Sequence, residues 1–329
     1  MHVLIIGAAG MVGRKLTAAL LAAGQVGGKP LSKLTLTDVI EPQKVAFSGT
    51  VETNAADLSA PATAATLVAG RPDLVFHLAA IVSGEAEADF EKGYRINLDG
   101  TRYLLEAIRL EGLKSGAYLP RLVFTSSIAV FGAPFPEAIG DEFFNTPLTS
   151  YGTQKAICEL LLNDYSRKGF VDGIGIRLPT ITVRPGKPNL AASGFFSNIL
   201  REPLAGHEAV LPVSKDVRHW FASPRAAVGF LIHAAEMDSA QLGWRRTISA
   251  PGLSATVGEE IEALRRVAGD KVVNLIKEVP DETIIKIVAG WPRNFDTKRA
   301  VGLGFKAESS MDEIIRVHIE DELGGKIGG

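Results

Sequence analysis

Residues 7–13 read Gly7-Ala8-Ala9-Gly10-Met11-Val12-Gly13, a G-x-x-G-x-x-G turn. An apolar, β-branched run precedes it at residues 3–6, and a helical pattern follows at residues 11–23. Few chain segments constrain a fold as tightly. One glycine permits the sharp strand-to-helix turn, one lets backbone amides approach an anion, and one lets the helix pack closely on the strand. The amides of Met11, Val12 and Gly13 then open the helix without intrahelical partners, at the positive end of its dipole. Gly7, Gly10, Met11, Val12 and Gly13 are therefore expected to hold a nucleotide pyrophosphate.

The rest of the first half repeats the strand-then-helix rhythm. Apolar strands are predicted at residues 34–37, 74–77, 122–125 and 174–178, and helices at 62–68, 90–111 and 151–168. Strands that are apolar throughout, with helices between them, predict a parallel sheet covered on both faces. After about residue 180 the rhythm breaks at Pro185, Pro188, Pro203, Pro212 and Pro224, with helices expected near 194–200, 225–237, 257–268 and 312–322. The fold expected is α/β, a Rossmann-like doubly wound parallel sheet with a smaller mixed C-terminal substrate lobe. Residues 1–180 are assigned to the first and 181–329 mostly to the second, partly interleaved.

Asp38 closes the second strand. A carboxylate there accepts hydrogen bonds from ribose hydroxyls and repels a 2′-phosphate. No arginine follows it closely, which favours NAD over NADP. Asp57 and Leu58, ahead of the helix predicted at 62–68, are candidates for the adenine end. Tyr151-Gly152-Thr153-Gln154-Lys155 is Y-x-x-x-K on a predicted helix, so Tyr151 and Lys155 share one face with Cβ atoms about 5–6 Å apart. An ammonium beside a phenol favours phenolate and fits Tyr151 for acid/base work. Thr125-Ser126-Ser127 ends a parallel strand, where ligands of open α/β sheets bind.

In this order and spacing, the glycine turn, His77-Leu78-Ala79-Ala80, Asn97, Phe124-Thr125-Ser126-Ser127-Ile128-Ala129-Val130-Phe131-Gly132 and Tyr151–Lys155 resemble the extended short-chain dehydrogenase/reductases, the NAD-dependent epimerase/dehydratase family. Phe295-Asp296-Thr297-Lys298-Arg299-Ala300 and Leu303-Gly304-Phe305 extend the likeness over most of the chain. The resemblance implies Ser127, Tyr151 and Lys155 as the catalytic set, with Lys155 also on the nicotinamide ribose. It implies Leu78, Ala79, Ala80, Asn97 and Pro179 beside the cofactor, and a homodimer through the helices at 90–111 and 151–168. Residues 1–16, Arg177 to Asn189 and Arg218 to Arg225 are similar to the narrower group of NAD-dependent D-erythronate dehydrogenases. That likeness implies oxidation of the C2 hydroxyl of a four-carbon sugar acid to the 2-oxo acid. The alternative is a nucleotide-sugar epimerase or dehydratase with retained NAD.

Two departures count against a nucleotide sugar. Thr180 stands where epimerases carry an asparagine near the diphosphate, and Ala222-Ser223-Pro224 replaces a Val-Asp-Asp turn. Arg218 matches a phosphate-contacting arginine and could receive a carboxylate, with Arg184 and Lys187 as competitors; a planar guanidinium fits a carboxylate bidentately. Ser83 could donate to a substrate hydroxyl or cap a helix. His77 reads as a core histidine and Cys158 as packing. The other histidines show no metal spacing, so no metal is expected. A formal charge of −2 (35 basic, 37 acidic residues) argues against nucleic acid. One cysteine excludes an internal disulfide, and no apolar run reaches the roughly 18 residues of a membrane span. The start, Met1-His2-Val3-Leu4-Ile5-Ile6-Gly7, lacks the pattern of a signal peptide, and a cytoplasmic location is expected.

Overall fold

A computed structural model describes residues 1–186 and 192–328, among which two compact units are distinguished. The first comprises Met1–Val130, Thr149–Arg177 and Val228–Ile248; the second comprises Phe131–Leu148, Leu178–Ala227 and Ser249–Gly329. The first unit therefore takes back a segment from well beyond residue 180. Lys187, Pro188 and Asn189 lie outside the described residues.

The first unit is built on β1 (His2–Ile6), β2 (Lys33–Asp38), β3 (Thr50–Ala55), β4 (Leu74–His77), β5 (Arg121–Ser127), β6 (Asp172–Leu178) and a late strand β7 (Thr247–Ser249). Their order is β7-β6-β5-β4-β1-β2-β3. The first six follow the 3-2-1-4-5-6 order of the doubly wound sheet, which reverses between β1 and β4 and opens a crevice there. Every pair from β3 to β5 is parallel. Val3, Leu4, Ile5, Leu74, Val75, Phe76, Val123 and Phe124 are buried, as a sheet covered on both faces requires. The edge strand β3 alternates in exposure, and its Thr-Val-Glu-Thr-Asn-Ala sequence carries no apolar run to announce it.

The covering helices include α1 (Met11–Ala23), α2 (Pro61–Val68), α3 (Gly100–Ser115) and α4 (Ser150–Arg167). Leu104, Leu105 and Ile108 of α3 and Leu162 of α4 pack with Leu4, Val75, Leu122 and Phe124 in one core. Each such side chain contributes about 1.5–3 kcal/mol by leaving water. The single helix expected over 90–111 is instead three pieces: Phe90–Gly93, a π-helical turn Tyr94–Asp99, and α3. The Gly100 amide reaches back five residues to the Arg95 carbonyl, the mark of that wider turn. Buried Asn97 sits within it, with its side chain bonded to other segments rather than along the helix.

The second unit is mixed. A three-stranded sheet orders Leu253–Thr256, Arg218–Ala222 and Thr180–Ile181, and a pair joins Ala209–Leu211 to Ile276–Glu278. Helices Gly194–Leu204, Val257–Ala268 and Met311–Leu323 bury Phe196, Leu264 and Ile314 against Phe221 of the sheet. Thr256 and Glu259 form a capping box that fixes the start of Val257–Ala268.

Candidate active site

Strand register sets the stage. Ile6 pairs with both Thr37 and His77, and His77 pairs with Phe124. The glycine turn, Asp38, Leu78–Ala80 and Ser127 thus all leave the same, carboxyl edge of the sheet.

Gly7 has φ +96°, and a Cβ there would stand 2.6 Å from the Ala79 amide nitrogen. A Cβ on Gly13 would meet the Gly7 carbonyl at 2.2 Å. Both are glycine because the turn, β4 and α1 touch one another. Gly10 is different: a Cβ there would meet only the Gly7 carbonyl, at 3.4 Å. The protein's own packing leaves that space open in front of α1. The helix start has no side-chain cap and no acidic residue in its first turn, so the first-turn amides of Met11, Val12 and Gly13 are suited to receive an anion. Asp38 accepts from the Ala9 amide at 3.0 Å and the Val39 amide at 2.7 Å. That leaves about half of its roughly four acceptor sites for hydroxyls. These residues fit a dinucleotide: pyrophosphate at the helix start, ribose at the carboxylate.

The other cofactor candidates divide. Leu78 and Ala79 both donate their amides to the Ile6 carbonyl, which seats the 78–80 loop against Gly7. Asp57 is turned toward Ser59, accepting from its amide and hydroxyl, and pairs with Arg95 at 3.3 Å. Its carboxyl is nonetheless below its usual range: burial opposes the shift, while the Ser59 bonds and Arg95 outweigh it. Leu58 belongs to the core. Asn97 accepts from the Ile81 amide at 2.9 Å and donates to Gln154 Oε1 at 2.8 Å. It therefore ties the loop after β4 to α4. Pro179 is buried in the second unit.

The catalytic candidates lie together in the first unit. Thr149 caps α4 by accepting from the Gly152 amide, which places Tyr151 in the helix's first turn. Lys155, four residues on, is fully buried and donates to the Thr125 carbonyl at 2.8 Å. Its Nζ lies 4.7 Å from the Phe124 ring centroid and 5.8 Å from that of Tyr151. Burial brings the ammonium down to about 8, against the raising influence of Cys158 and Glu159. Ser127 Oγ accepts from the Ala129 amide at 3.1 Å, so its proton remains available to donate. The constellation can hold a cation beside a phenol and aim a hydroxyl from the strand end.

His77 is buried, as a core histidine. Thr101 donates to the Asn97 carbonyl, so His77 Nε2 is the donor in their 2.8 Å bond. Nδ1 has no hydrogen-bond partner. Burial first, and the Lys155 charge second, push the imidazole down to about 3, and it stays neutral. Cys158 is buried with its thiol pushed up to about 11 by burial. No group of His, Cys, Asp and Glu among the described residues could hold a metal.

Sequence reasoning passed over Glu159 and Arg177 as a pair. Arg177 binds Glu159 through Nε (2.9 Å) and Nη2 (2.7 Å), and Glu159 Oε1 also accepts from Ser126 Oγ at 2.5 Å. The available signal was Glu159 four residues beyond Lys155, on the Tyr151 face of the helix.

Ser83 begins the short helix Ser83–Ala88, but the cap position is Val82, with no side-chain bond. Ser83 is therefore not the cap. Within the second unit, Thr180 Oγ1 lies 2.7 Å from His219 Nε2, and His219 Nδ1 lies 2.9 Å from the Pro292 carbonyl. A carbonyl can only accept, so Nδ1 carries the proton and Thr180 donates to Nε2. Burial holds His219 down at about 4. Arg184 closes its fork on the Ile181 carbonyl and on Ser193. Arg218 is 38% exposed, bonded to the Ser254 carbonyl and paired with Glu259 at 3.2 Å.

A family model described as NAD dependent epimerase/dehydratase matches residues 3–241. D-erythronate dehydrogenase of Cupriavidus necator is 47% identical over 325 residues, covering 98% of each chain. D-erythronate dehydrogenase of Haemophilus influenzae is 44% identical, covering 98% of this chain and 100% of its own. A crystal structure of a protein from Agrobacterium tumefaciens, described as a nucleoside-diphosphate-sugar epimerase, is 69% identical with TM-score 0.97, covering 99% of this chain and 95% of that one. An L-threonine 3-dehydrogenase from Trypanosoma brucei, 24% identical with TM-score 0.84, shares the fold. With the matched region spanning both the glycine turn and the Ser127–Tyr151–Lys155 set, the chain belongs to the NAD-dependent epimerase/dehydratase family.

Proposed function

We propose that the protein is an NAD-dependent dehydrogenase that oxidises the C2 hydroxyl of D-erythronate to 2-dehydro-D-erythronate. The observation that carries this reading is full-length identity of 44–47% to two D-erythronate dehydrogenases, in a chain that retains Ser127, Tyr151 and Lys155. NAD, when bound, accepts the hydride. Gly7, Gly10, Met11, Val12 and Gly13 hold its pyrophosphate, and Asp38 its adenosine ribose. Tyr151, as phenolate, takes the proton of the C2 hydroxyl. Ser127 donates to the same oxygen as it becomes a carbonyl. Lys155 supplies the positive charge that favours the phenolate.

A second reading rests on the Agrobacterium structure, described as a nucleoside-diphosphate-sugar epimerase. There hydride returns to the substrate and no NADH accumulates. A screen of NADH formation over C3–C6 aldonic acids, UDP-glucose and UDP-galactose separates the two. NADH from D-erythronate and none from the UDP-sugars is the expected result; epimerised UDP-sugar without net NADH overturns the proposal. Tyr151→Phe is expected to lower kcat by about 10²–10⁴-fold while NADH still binds.

The reading extends to a cytoplasmic homodimer. Leu110 and Leu113 of α3 and Leu160 of α4 are 49%, 69% and 69% exposed on the two helices expected to pair. No helix among the described residues is long and apolar enough to cross a membrane. Sedimentation equilibrium tests the dimer; a monomer at micromolar concentration removes it.

A further inference from the structure

Three consecutive residues at the end of β5 meet the chain in three different ways. Thr125 gives its carbonyl to Lys155. Ser126 gives its hydroxyl proton to Glu159. Ser127 faces the proposed reaction. On α4 the partners are spaced four apart, Lys155 then Glu159, continuing the face that begins at Tyr151. Strand end and helix are thereby stapled at two points one residue apart.

The second staple has its own anchor. Glu159 and Arg177 are buried, and Arg177 grips both carboxylate oxygens. A bidentate Arg–carboxylate pair fixes orientation as well as distance. Arg177 sits on β6, which neighbours β5 in the sheet. The carboxylate that receives Ser126 is thus immobilised from the adjacent strand. A buried ion pair adds little net stability over an apolar pair of the same shape. What this one supplies is a fixed acceptor under the residue next to Ser127.

We propose that Glu159, oriented by Arg177, is a positioning residue for the reaction: through Ser126 it fixes the strand end that carries Ser127 and, through Thr125, the Lys155 ammonium beside Tyr151. Neither Glu159 nor Arg177 need touch substrate. The charged and titratable groups around Lys155 are Tyr151, Cys158 and Glu159 on its own helix and His77 on β4, with Arg177 on β6 behind Glu159.

The inference rests on the proposed roles of Tyr151 and Ser127, and the test separates the two. Removing Glu159 alone would strand Arg177 and risks unfolding. Ser126→Ala instead leaves the ion pair whole and cuts only the staple. Ser126→Thr keeps the hydroxyl. In Ser126→Ala we expect kcat for D-erythronate to fall about tenfold, within the loss that a small misplacement can cause. KM and the Kd for NADH stay within about twofold, as the staple lies outside the nucleotide turn. Ser126→Thr recovers most of the loss. Tyr151 is also titrated by ultraviolet difference spectroscopy against Tyr151→Phe, without cofactor or substrate. The phenol is expected to ionise at higher pH in Ser126→Ala than in the wild type or Ser126→Thr. That reading stands even if no aldonic acid is oxidised, an outcome that would overturn the substrate and not the staple. A wild-type Tyr151 titration in Ser126→Ala, a wild-type kcat, or a Thr variant no better than Ala overturns the inference.

Discussion

Lys155 donates to the Thr125 carbonyl at 2.8 Å from a fully buried position, one residue from the Ser126–Glu159 contact. A buried ammonium is costly to hold charged, and here burial is the first cause of its descent to about 8. The arrangement trades stability for a cation beside Tyr151.

That trade has a sign that can be measured. The unfolded lysine ionises near 10.5, above the folded one. Below about pH 8 both states are protonated and the full penalty is present. Between about 8 and 10.5 the folded state binds fewer protons, so stability rises with pH. Lys155→Met carries no such dependence. Its stability relative to wild type should therefore decline between pH 7 and pH 10, by on the order of 3 kcal/mol at 1.36 kcal/mol per pKa unit. Denaturant unfolding at both pH values measures it; a gap that does not move means that burial does not lower the Lys155 ammonium.

We expect Asp38 to control the choice of cofactor. Its carboxylate accepts from the Ala9 amide at the glycine turn, and in the proposed cofactor site it would set negative charge against a 2′-phosphate. We expect kcat/KM for NAD to exceed that for NADP by tenfold or more, about 1.4 kcal/mol. Asp38→Asn should narrow the ratio, since it keeps an acceptor and removes the charge. Equal efficiency with both cofactors in the wild type would refute this role.

The parallel sheet and the shared helix face of Tyr151 and Lys155 were legible because each rests on local pattern. Apolar runs such as Leu74-Val75-Phe76 and the four-residue spacing of Tyr151 and Lys155 are visible in any short window. The π-helical turn around Asn97 was not, because its wider winding is accompanied by bonds to Ile81 and Gln154, 16 residues before and 57 after in sequence. The same holds for Arg177 and Glu159, whose partnership exists only once β6 lies beside β5. The bonds that close Arg184 onto Ile181 and Ser193 likewise leave no periodic trace.

Glu260, in the second unit, is fully buried with neither carboxylate oxygen hydrogen-bonded, and burial raises its ionisation well above the usual value of 4.5. A folded-state value above the unfolded one gives stability that is complete below about 4.5 and lost as pH rises toward the folded value. The slope in that window is about 1.4 kcal/mol per pH unit. Glu260→Gln stays neutral throughout. Its melting temperature relative to wild type should therefore climb from pH 4.5 toward pH 8. A difference that is flat across that range would show that the carboxyl finds a partner or solvent.

Substrate charge is the last determinant. An aldonate carries a carboxylate beside the reacting carbon, and taking that charge out of water calls for a partner. Arg184 and Arg218 were the described candidates, and their surroundings rank them. Arg184 spends its fork on the Ile181 carbonyl and on Ser193, so its replacement should disturb its own loop. Arg218 is more than a third exposed, and its acidic neighbour Glu259 has a second attachment, to the Thr256 amide at 2.6 Å. If Arg218 receives the substrate carboxylate, Glu259 would keep its Thr256 attachment when displaced. We expect Arg218→Met to raise KM for D-erythronate roughly 10- to 150-fold, the 1.5–3 kcal/mol of a charge-assisted hydrogen bond, with a smaller change in kcat. Glu259→Gln, which weakens the competing pair, should lower KM. The uncharged polyol erythritol should be a poor substrate for the wild type. If Arg218→Met keeps the wild-type KM, or erythritol reacts as well as erythronate, the carboxylate is bound elsewhere or not at all.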